Sequence, residues 1–314
     1  MQNLAFVFPG QGSQFVGMLA ELAGSYALVN DVFTLVAEKV GFDLWQLVQE
    51  GPESLLNQTK YTQVAMLAAD VAIFKLLMQL GVARPNFLAG HSLGEYPALV
   101  CANALSLTDA AYLVVKRGEL MQQAVPAGTG AMAAIIGLAD EHVELICQQL
   151  SSSAQYISPA NYNAVGQVVI AGHTEVIVKA IKVAQEQGAL LAKIIPVSVS
   201  CHCLLLHEAA IKFADYLAAV NFKEPEIAVI ANVDLSIYQN AAQLRALLTR
   251  QLYSPVRWVE TIQLLKSKNV DFIIECGPGK VLAGLIKRID KSITTFSVNN
   301  VKSLEQVLQL TSSR

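Results

Sequence analysis

Short apolar runs that stop at glycine or proline alternate along this chain with longer stretches whose apolar residues return every three or four positions. The runs predict strands buried on both faces, and the longer stretches predict amphipathic helices. Leu4-Ala5-Phe6-Val7-Phe8 is the first run; it ends in Pro9-Gly10-Gln11-Gly12 and so delivers Gln11 to a sheet edge. Helical patterns follow to about residue 81, with Gly51, Pro52 and Gly81 as punctuation. Asn86-Phe87-Leu88-Ala89 then leads into Gly90-His91-Ser92, most simply a strand, a sharp turn and a helix.

The texture changes at Thr129. The pattern predicts a strand over 131–138, a helix over 140–150, strands over 156–160 and 167–171, a helix over 175–187 and a strand over 189–197. That βαββαβ order is ferredoxin-like. Residues 128–197 therefore read as a small inserted domain, flanked by Pro126-Ala127-Gly128 and Pro196, within a larger α/β body made of 1–127 and 198–314. Short strands over 227–231 and 271–275 belong to that body.

Composition narrows the reading by exclusion. Of 314 residues, 54% are hydrophobic and 15% charged, which suits a large core and not a disordered scaffold. A formal net charge of -3 with no long Lys/Arg run argues against a nucleic-acid partner. The first basic residue is Lys39, so the apolar start lacks the charged segment of a secretion signal. Asp70, Lys75, Asn103 and Lys193 interrupt the apolar stretches short of the ~18 residues that suggest a membrane span. A soluble cytoplasmic protein is expected. Cys101, Cys147, Cys201, Cys203 and Cys276 are odd in number and lie in apolar segments, which reads as reduced, mostly buried thiols.

The candidate chemistry begins at Gly90-x-Ser92-x-Gly94, the spacing of a nucleophile elbow, in which a tight strand-to-helix turn projects the serine. The same spacing occurs by chance in turns; the preceding strand and following helix favour the elbow. Pro97 cuts the other way, because it removes a backbone donor early in the helix. Serine needs a base at neutral pH, and histidine has the suitable pKa. His91 adjoins Ser92 and should point away from it, His142 and His173 fall in the small domain, and His202 and His207 remain. His202 follows an apolar run where the chain returns to the large body and comes after the serine, so it is favoured over His207, against the bland alternative of a core histidine. Attack on a thioester also needs oxyanion donors. The Leu93 N–H is the first expected, and the Gly10-Gln11-Gly12 loop can bring a second.

Three decoys are set aside. Gly10-x-Gly12 lacks the third glycine of a dinucleotide loop, since Phe15 stands there. Gly277-Pro278-Gly279-Lys280 lacks the spacing and hydroxyl residue of a phosphate loop and reads as a tight turn. Cys201-His202-Cys203 points its side chains to opposite faces and has no second ligand pair, so no metal is expected.

Taken together, these residues resemble the acyltransferase family of fatty-acid and polyketide synthesis. The resemblance runs over nearly the whole chain, through Phe8 to Gln14, Gly90 to Tyr96, Arg117-Gly118, Gly130-Ala131-Met132, Gly166 to Gly172, Val197-Ser198-Val199, Asn232-Val233-Asp234, Gln251-Leu252-Tyr253 and Gly277 to Lys280. It implies a fold of class α/β, with a hydrolase-like parallel-sheet body and an inserted ferredoxin-like α+β subdomain. It further implies a Ser92–His202 dyad whose histidine is oriented by a backbone carbonyl near Gln251, with Gln11 and Leu93 as oxyanion amides and Arg117 as the partner of a malonyl carboxylate. A guanidinium fork suits a carboxylate and would select malonyl over acetyl thioesters. Without the resemblance, Arg117 reads as a surface arginine at a helix end. His91 and Asn161 are supporting candidates; Asn161 and Asn163 either line the cleft between the domains or form a plain turn.

The implied reaction passes a malonyl group from malonyl-CoA through a seryl ester to the phosphopantetheine thiol of acyl carrier protein, with no cofactor of the enzyme's own and a monomeric protein. Lys280, Lys287, Arg288 and Lys291 offer a basic face for an acidic carrier, or simply a solvated helix face. A polyketide acyltransferase, a thioesterase on the same dyad and a non-enzymatic binding module are the rival readings. The sequence departs from the family pattern at Cys201 and Cys203 beside the histidine and at Leu206, which bears on the shape of the acyl pocket.

Overall fold

The computed structural model describes residues 3–126, 128–197 and 199–312. Its strands are β1 (Asn3–Phe8), β2 (Phe87–Gly90), β3 (Gly130–Ile136), β4 (Ile157–Ala164), β5 (Gln167–His173), β6 (Leu191–Ile194), β7 (Ala228–Ile230), β8 (Val270–Cys276) and β9 (Thr294–Val298). One sheet has the order β7-β2-β1-β8-β9 and all its pairs are parallel. The other has the order β4-β5-β3-β6 and all its pairs are antiparallel.

The unbroken apolar run of β1 follows from its position at the centre of the parallel sheet. Phe6 and Phe8 face one core, where their rings meet Phe74 at 5.8 and 6.2 Å; Ala5 and Val7 face a second core with Trp258, Ile262 and Ile286. A strand covered by helices on both sides has no polar face to show. Phe74 lies on the helix Thr59–Gln79, which is long and apolar enough to cross a membrane by length and composition, yet 83% of that apolar window is buried inside the protein. It is the central helix of the larger core, packed against Leu107–Ala124 and Ala27–Val40. The 21-residue helix is apolar around most of its circumference because it has protein on most sides.

The four antiparallel strands carry the helices Asp140–Leu150 and Thr174–Glu186 on one face, sealed by Ile135, Val143, Ile146, Ile170 and Ile177. Their order and directions are those of a ferredoxin-like sheet. The opposite face, with Met132, Ala160, Val169 and Ala171, meets Cys203 from the segment that returns to the parallel sheet. Ala127 and Ser198, where the expected domain boundaries fall, lie outside the described residues.

Some elements differ from the expectation. β4 continues to Ala164, through two register shifts against β5, and β6 shrinks to Leu191–Ile194. β9 has no counterpart among the expected strands; Thr294, Thr295 and Ser297 break the apolar run, as an edge strand permits. Pro97 costs nothing, because it is the third residue of the helix Glu95–Cys101, within the first turn where an N–H has no intrahelical acceptor.

The elbow is built by close approach. A Cβ on Gly90 would lie 1.8 Å from the carbonyl carbon of Gly94, and one on Gly94 would lie 2.0 Å from the carbonyl oxygen of Phe8. Glycine at both positions lets the helix start press onto the ends of β1 and β2. Gly94→Ala is therefore expected to lower unfolding free energy by at least ~3 kcal/mol in a denaturant titration. Gly284→Ala, in an exposed helical position where an added Cβ meets nothing within 4 Å, should instead raise it by about 0.5–1 kcal/mol.

Candidate active site

The carboxyl ends of β1, β2 and β7 converge, as expected for a ligand site on a parallel sheet. Ser92 sits just past β2 with φ 54°, in the left-handed region that side chains other than glycine rarely adopt. Its Oγ lies 2.6 Å from His202 Nε2, and His202 Nδ1 lies 2.8 Å from the carbonyl oxygen of Gln251. A carbonyl only accepts, so Nδ1 carries the proton and the lone pair of Nε2 receives the serine O–H. The N–H of His202 also donates to the Leu252 carbonyl at 3.0 Å, and its own φ is 59°.

His202 is 3% exposed. Burial first, and the Arg117 cation second, push its pKa down to about 3, against the pull of the Gln251 carbonyl. The imidazole is therefore neutral and able to accept a proton throughout the neutral range.

Arg117 is the main departure from its bare sequence reading. It lies inside the helix Leu107–Ala124 and is 1% exposed, with Nη2 at 3.3 Å from Ser92 Oγ and 3.0 Å from Gln251 Oε1. Its Nε is buried and has no partner. Gln251 is likewise fully buried and joins several groups: its backbone carbonyl accepts from His202, its Oε1 accepts from Arg117, and its Nε2 donates to the Ser92 carbonyl at 2.9 Å and to Glu95 Oε2.

The cleft in front of Ser92, about 190 Å³, brings together Gly10, Gln11, Leu93, Arg117, His91, Asn161, Asn163 and His202, with Met121, Met132, Val169 and Leu285 as apolar walls. Gly10 is pressed against the elbow, since a Cβ there would sit 2.6 Å from the His91 carbonyl oxygen. His91 Nε2 is 2.8 Å from Asn163 Oδ1, which ties the body to β4, and its ring meets the edge of Trp258. Asn161 and Asn163 stand on a strand of the small sheet, which excludes the plain-turn reading. Cys201 reaches the cleft with its thiol pushed up to about 12 by burial, Cys203 faces the small sheet, and Leu206 is packed in the larger core away from the cleft. His207 is exposed beside Tyr253 and takes no part. Gly277-Pro278-Gly279 is a turn packed on Pro9; the buried Glu275 behind it accepts from the N–H groups of Leu282 and Ala283 and so caps the helix Val281–Ile289. Lys280, Lys287, Arg288 and Lys291 are exposed on and around that helix.

Glu95, Tyr238 and Asn232 belong to the site's support and were not singled out as site residues by the sequence. Glu95 is fully buried; desolvation raises its pKa to about 7, opposed by hydrogen bonds from Tyr238, Gln251 and Asn232 and by the Arg117 charge. A glutamate in the first turn of a helix reads as an ordinary dipole partner, and nothing in its spacing announces burial.

The family model for the acyl transferase domain matches residues 5–309. A malonyl CoA-acyl carrier protein transacylase of Escherichia coli K12 is 46% identical over 310 residues, covering 99% of this chain and 100% of the relative. The structure of the malonyl CoA-acyl carrier protein transacylase from Coxiella burnetii superposes with a TM-score of 0.96 at 46% identity, over 98% of this chain and 97% of that one. A type II PKS acyl-carrier protein in complex with its malonyl-transacylase is matched with the same TM-score of 0.96 and identity of 46%, over 98% of this chain and 99% of that chain.

The depressed basicity of His202 has a measurable sign. Protonation removes the acceptor, and a group held down to about 3 keeps it far below the pH at which an ordinary histidine, near 6.5, would lose it. Labelling of Ser92 by a neutral serine-directed reagent should therefore show no acid limb centred near pH 6.5. A half-maximal rate at that pH would contradict the assignment.

Proposed function

This chain belongs to the acyl transferase family, and we propose that it moves a malonyl group from malonyl-CoA to the phosphopantetheine thiol of acyl carrier protein through a malonyl-Ser92 ester, supplying fatty-acid synthesis. The observation that carries this reading is the buried Arg117 guanidinium 3.3 Å from the oxygen of a serine already paired with a histidine. A carboxylate on the acyl group is the natural partner of such a cation, and the thioester carbon then falls within reach of Ser92.

In the first half-reaction Ser92 Oγ attacks the thioester carbon while its proton passes to His202 Nε2. The charge that develops on the carbonyl oxygen faces the N–H groups of Leu93 and Gln11. The tetrahedral intermediate collapses, and the CoA sulfur leaves with the proton from His202. In the second half the carrier thiol gives its proton to His202 and attacks the seryl ester, and Ser92 takes the proton back as the malonyl-carrier thioester departs. The Gln251 carbonyl holds Nδ1–H throughout, in place of the carboxylate of a triad. Because the Arg117 charge lowers the basicity of His202, a bound carboxylate that offsets that charge makes the base stronger when the acyl group is in place.

The two-part division at residues 127 and 198, a carrier docking face on Lys280, Lys287, Arg288 and Lys291, a monomeric state and a cytoplasmic location complete the proposal. The enzyme needs no cofactor, because the acyl group and the pantetheine arm arrive on its substrates.

Ser92→Ala should abolish the malonyl-enzyme adduct seen by intact-mass spectrometry. Arg117→Ala should lower the preference for malonyl-CoA over acetyl-CoA by roughly a hundredfold, the scale of a charge-assisted pair lost near 3 kcal/mol. An unmodified enzyme that prefers acetyl-CoA in direct competition, or that releases mainly free malonate when carrier protein is present, would refute the reading.

A further inference from the structure

β7 pairs with β2 in parallel, Leu88 opposite Val229 and Ala89 opposite Ile230. Continuing that register puts residue 232 opposite residue 91. The N–H of His91 is turned the other way, to the Phe8 carbonyl of β1 at 3.0 Å, so the groups of β2 that face β7 here are the Gly90 carbonyl and the Ser92 N–H. In a regular parallel ladder the main chain of residue 232 would donate to the first and accept from the second. It does neither. The Asn232 N–H donates to Glu95 Oε1 at 3.3 Å, and the Asn232 carbonyl accepts from the Arg257 N–H at 3.3 Å.

The side chain supplies both bonds instead. Asn232 Nδ2 donates to the Gly90 carbonyl at 2.6 Å, and Asn232 Oδ1 accepts from the Ser92 N–H at 2.7 Å. We infer that Asn232 is a positioning residue for the reaction: its carboxamide stands in for a peptide group, extends the sheet one step past the end of β7, and fixes the turn that projects Ser92. This rests on the reading of Ser92 as nucleophile.

Three further observations support the assignment. Ser92 is held at φ 54°, a conformation that persists only where its surroundings over-determine it, and Asn232 fastens the chain on both sides of His91. Asn232 is 1% exposed and is not part of the cleft lining, so it acts on the serine and not on the acyl group. It also occupies the Ser92 N–H, leaving the next amide along, that of Leu93, to face the developing oxyanion. A donor and an acceptor at this reach are what a carboxamide provides; aspartate keeps the acceptor and loses the donor, and alanine loses both.

The test compares the full chain with Asn232→Ala and Asn232→Asp in single-turnover acylation by malonyl-CoA, and in labelling of Ser92 by a fluorophosphonate probe that needs no malonyl recognition. Thermal unfolding is followed in parallel. Asn232→Ala is expected to lower the maximal acylation rate and the labelling rate by at least about tenfold, with the half-saturating malonyl-CoA concentration moving less than about threefold. Asn232→Asp should give a smaller fall of the same kind. A folded Asn232→Ala protein that reacts within about twofold of the unmodified chain, or one altered only in half-saturation, overturns the inference. Should that variant fail to fold, Asn232→Asp decides by the same two criteria. If the unmodified chain labels with fluorophosphonate yet takes no malonyl group, the substrate reading fails and the labelling rates alone decide the role of Asn232.

Discussion

A guanidinium buried without a carboxylate in contact is the constraint on which this site turns. Arg117 is 1% exposed, and its nearest polar partners are the Gln251 carboxamide and the Ser92 hydroxyl. Taking a cation out of water is costly, and the usual remedy is an adjacent anion. Here the nearby carboxyl group, Glu95, is one side chain away, on the other end of the Gln251 carboxamide, and burial raises its own pKa to about 7. The cation is thus held in place and its charge left to face the cleft, which is the condition for a substrate carboxylate to complete it.

Gln251 carries that arrangement into the chemistry. The residue that receives Arg117 on its side chain receives His202 on its main chain, and it also donates to the Ser92 carbonyl. Arg117, His202 and the elbow therefore share one buried hydrogen-bond partner. A displacement at any of them is transmitted through hydrogen bonds that meet at a fully buried side chain.

The parallel sheet supplies the rigid frame. β1 and β2 end side by side, Phe8 opposite Gly90, and β7 ends at Ile230, two residues before Asn232, whose side chain takes the next place in the ladder. The Gly10-Gln11-Gly12 loop, Ser92 and the Asn232 carboxamide are thus set by strands whose relative positions are fixed by a ladder. The antiparallel sheet contributes the far wall: Met132, Asn161, Asn163 and Val169 face the elbow, and the His91–Asn163 hydrogen bond joins the two sheets across the cleft.

The sequence by itself determined the strands of both sheets apart from β9, the βαββαβ order of the inserted unit, the elbow at Ser92 and the choice of His202, because each depends on local patterning or on motif spacing. Buried strands announce themselves as apolar runs, and the elbow as two glycines around a serine. Arg117 became a site residue only through family resemblance, since an arginine on a helix carries no local mark of which face is buried. Glu95 and Asn232 fall in motifs that carry the resemblance, but neither they nor Tyr238 bore a local mark of what they do. Their roles arise from contacts between segments more than a hundred residues apart, as in the bond from Asn232 to the Ser92 N–H. Only the tertiary structure decided that a glutamate in the first turn of a helix would be fully buried, that a carboxamide would replace a peptide at the end of a strand, and that one glutamine would serve both halves of the site. The physical reason is that burial and hydrogen-bond partnership are properties of the packed chain, whereas periodicity and turn chemistry are properties of its neighbours in sequence.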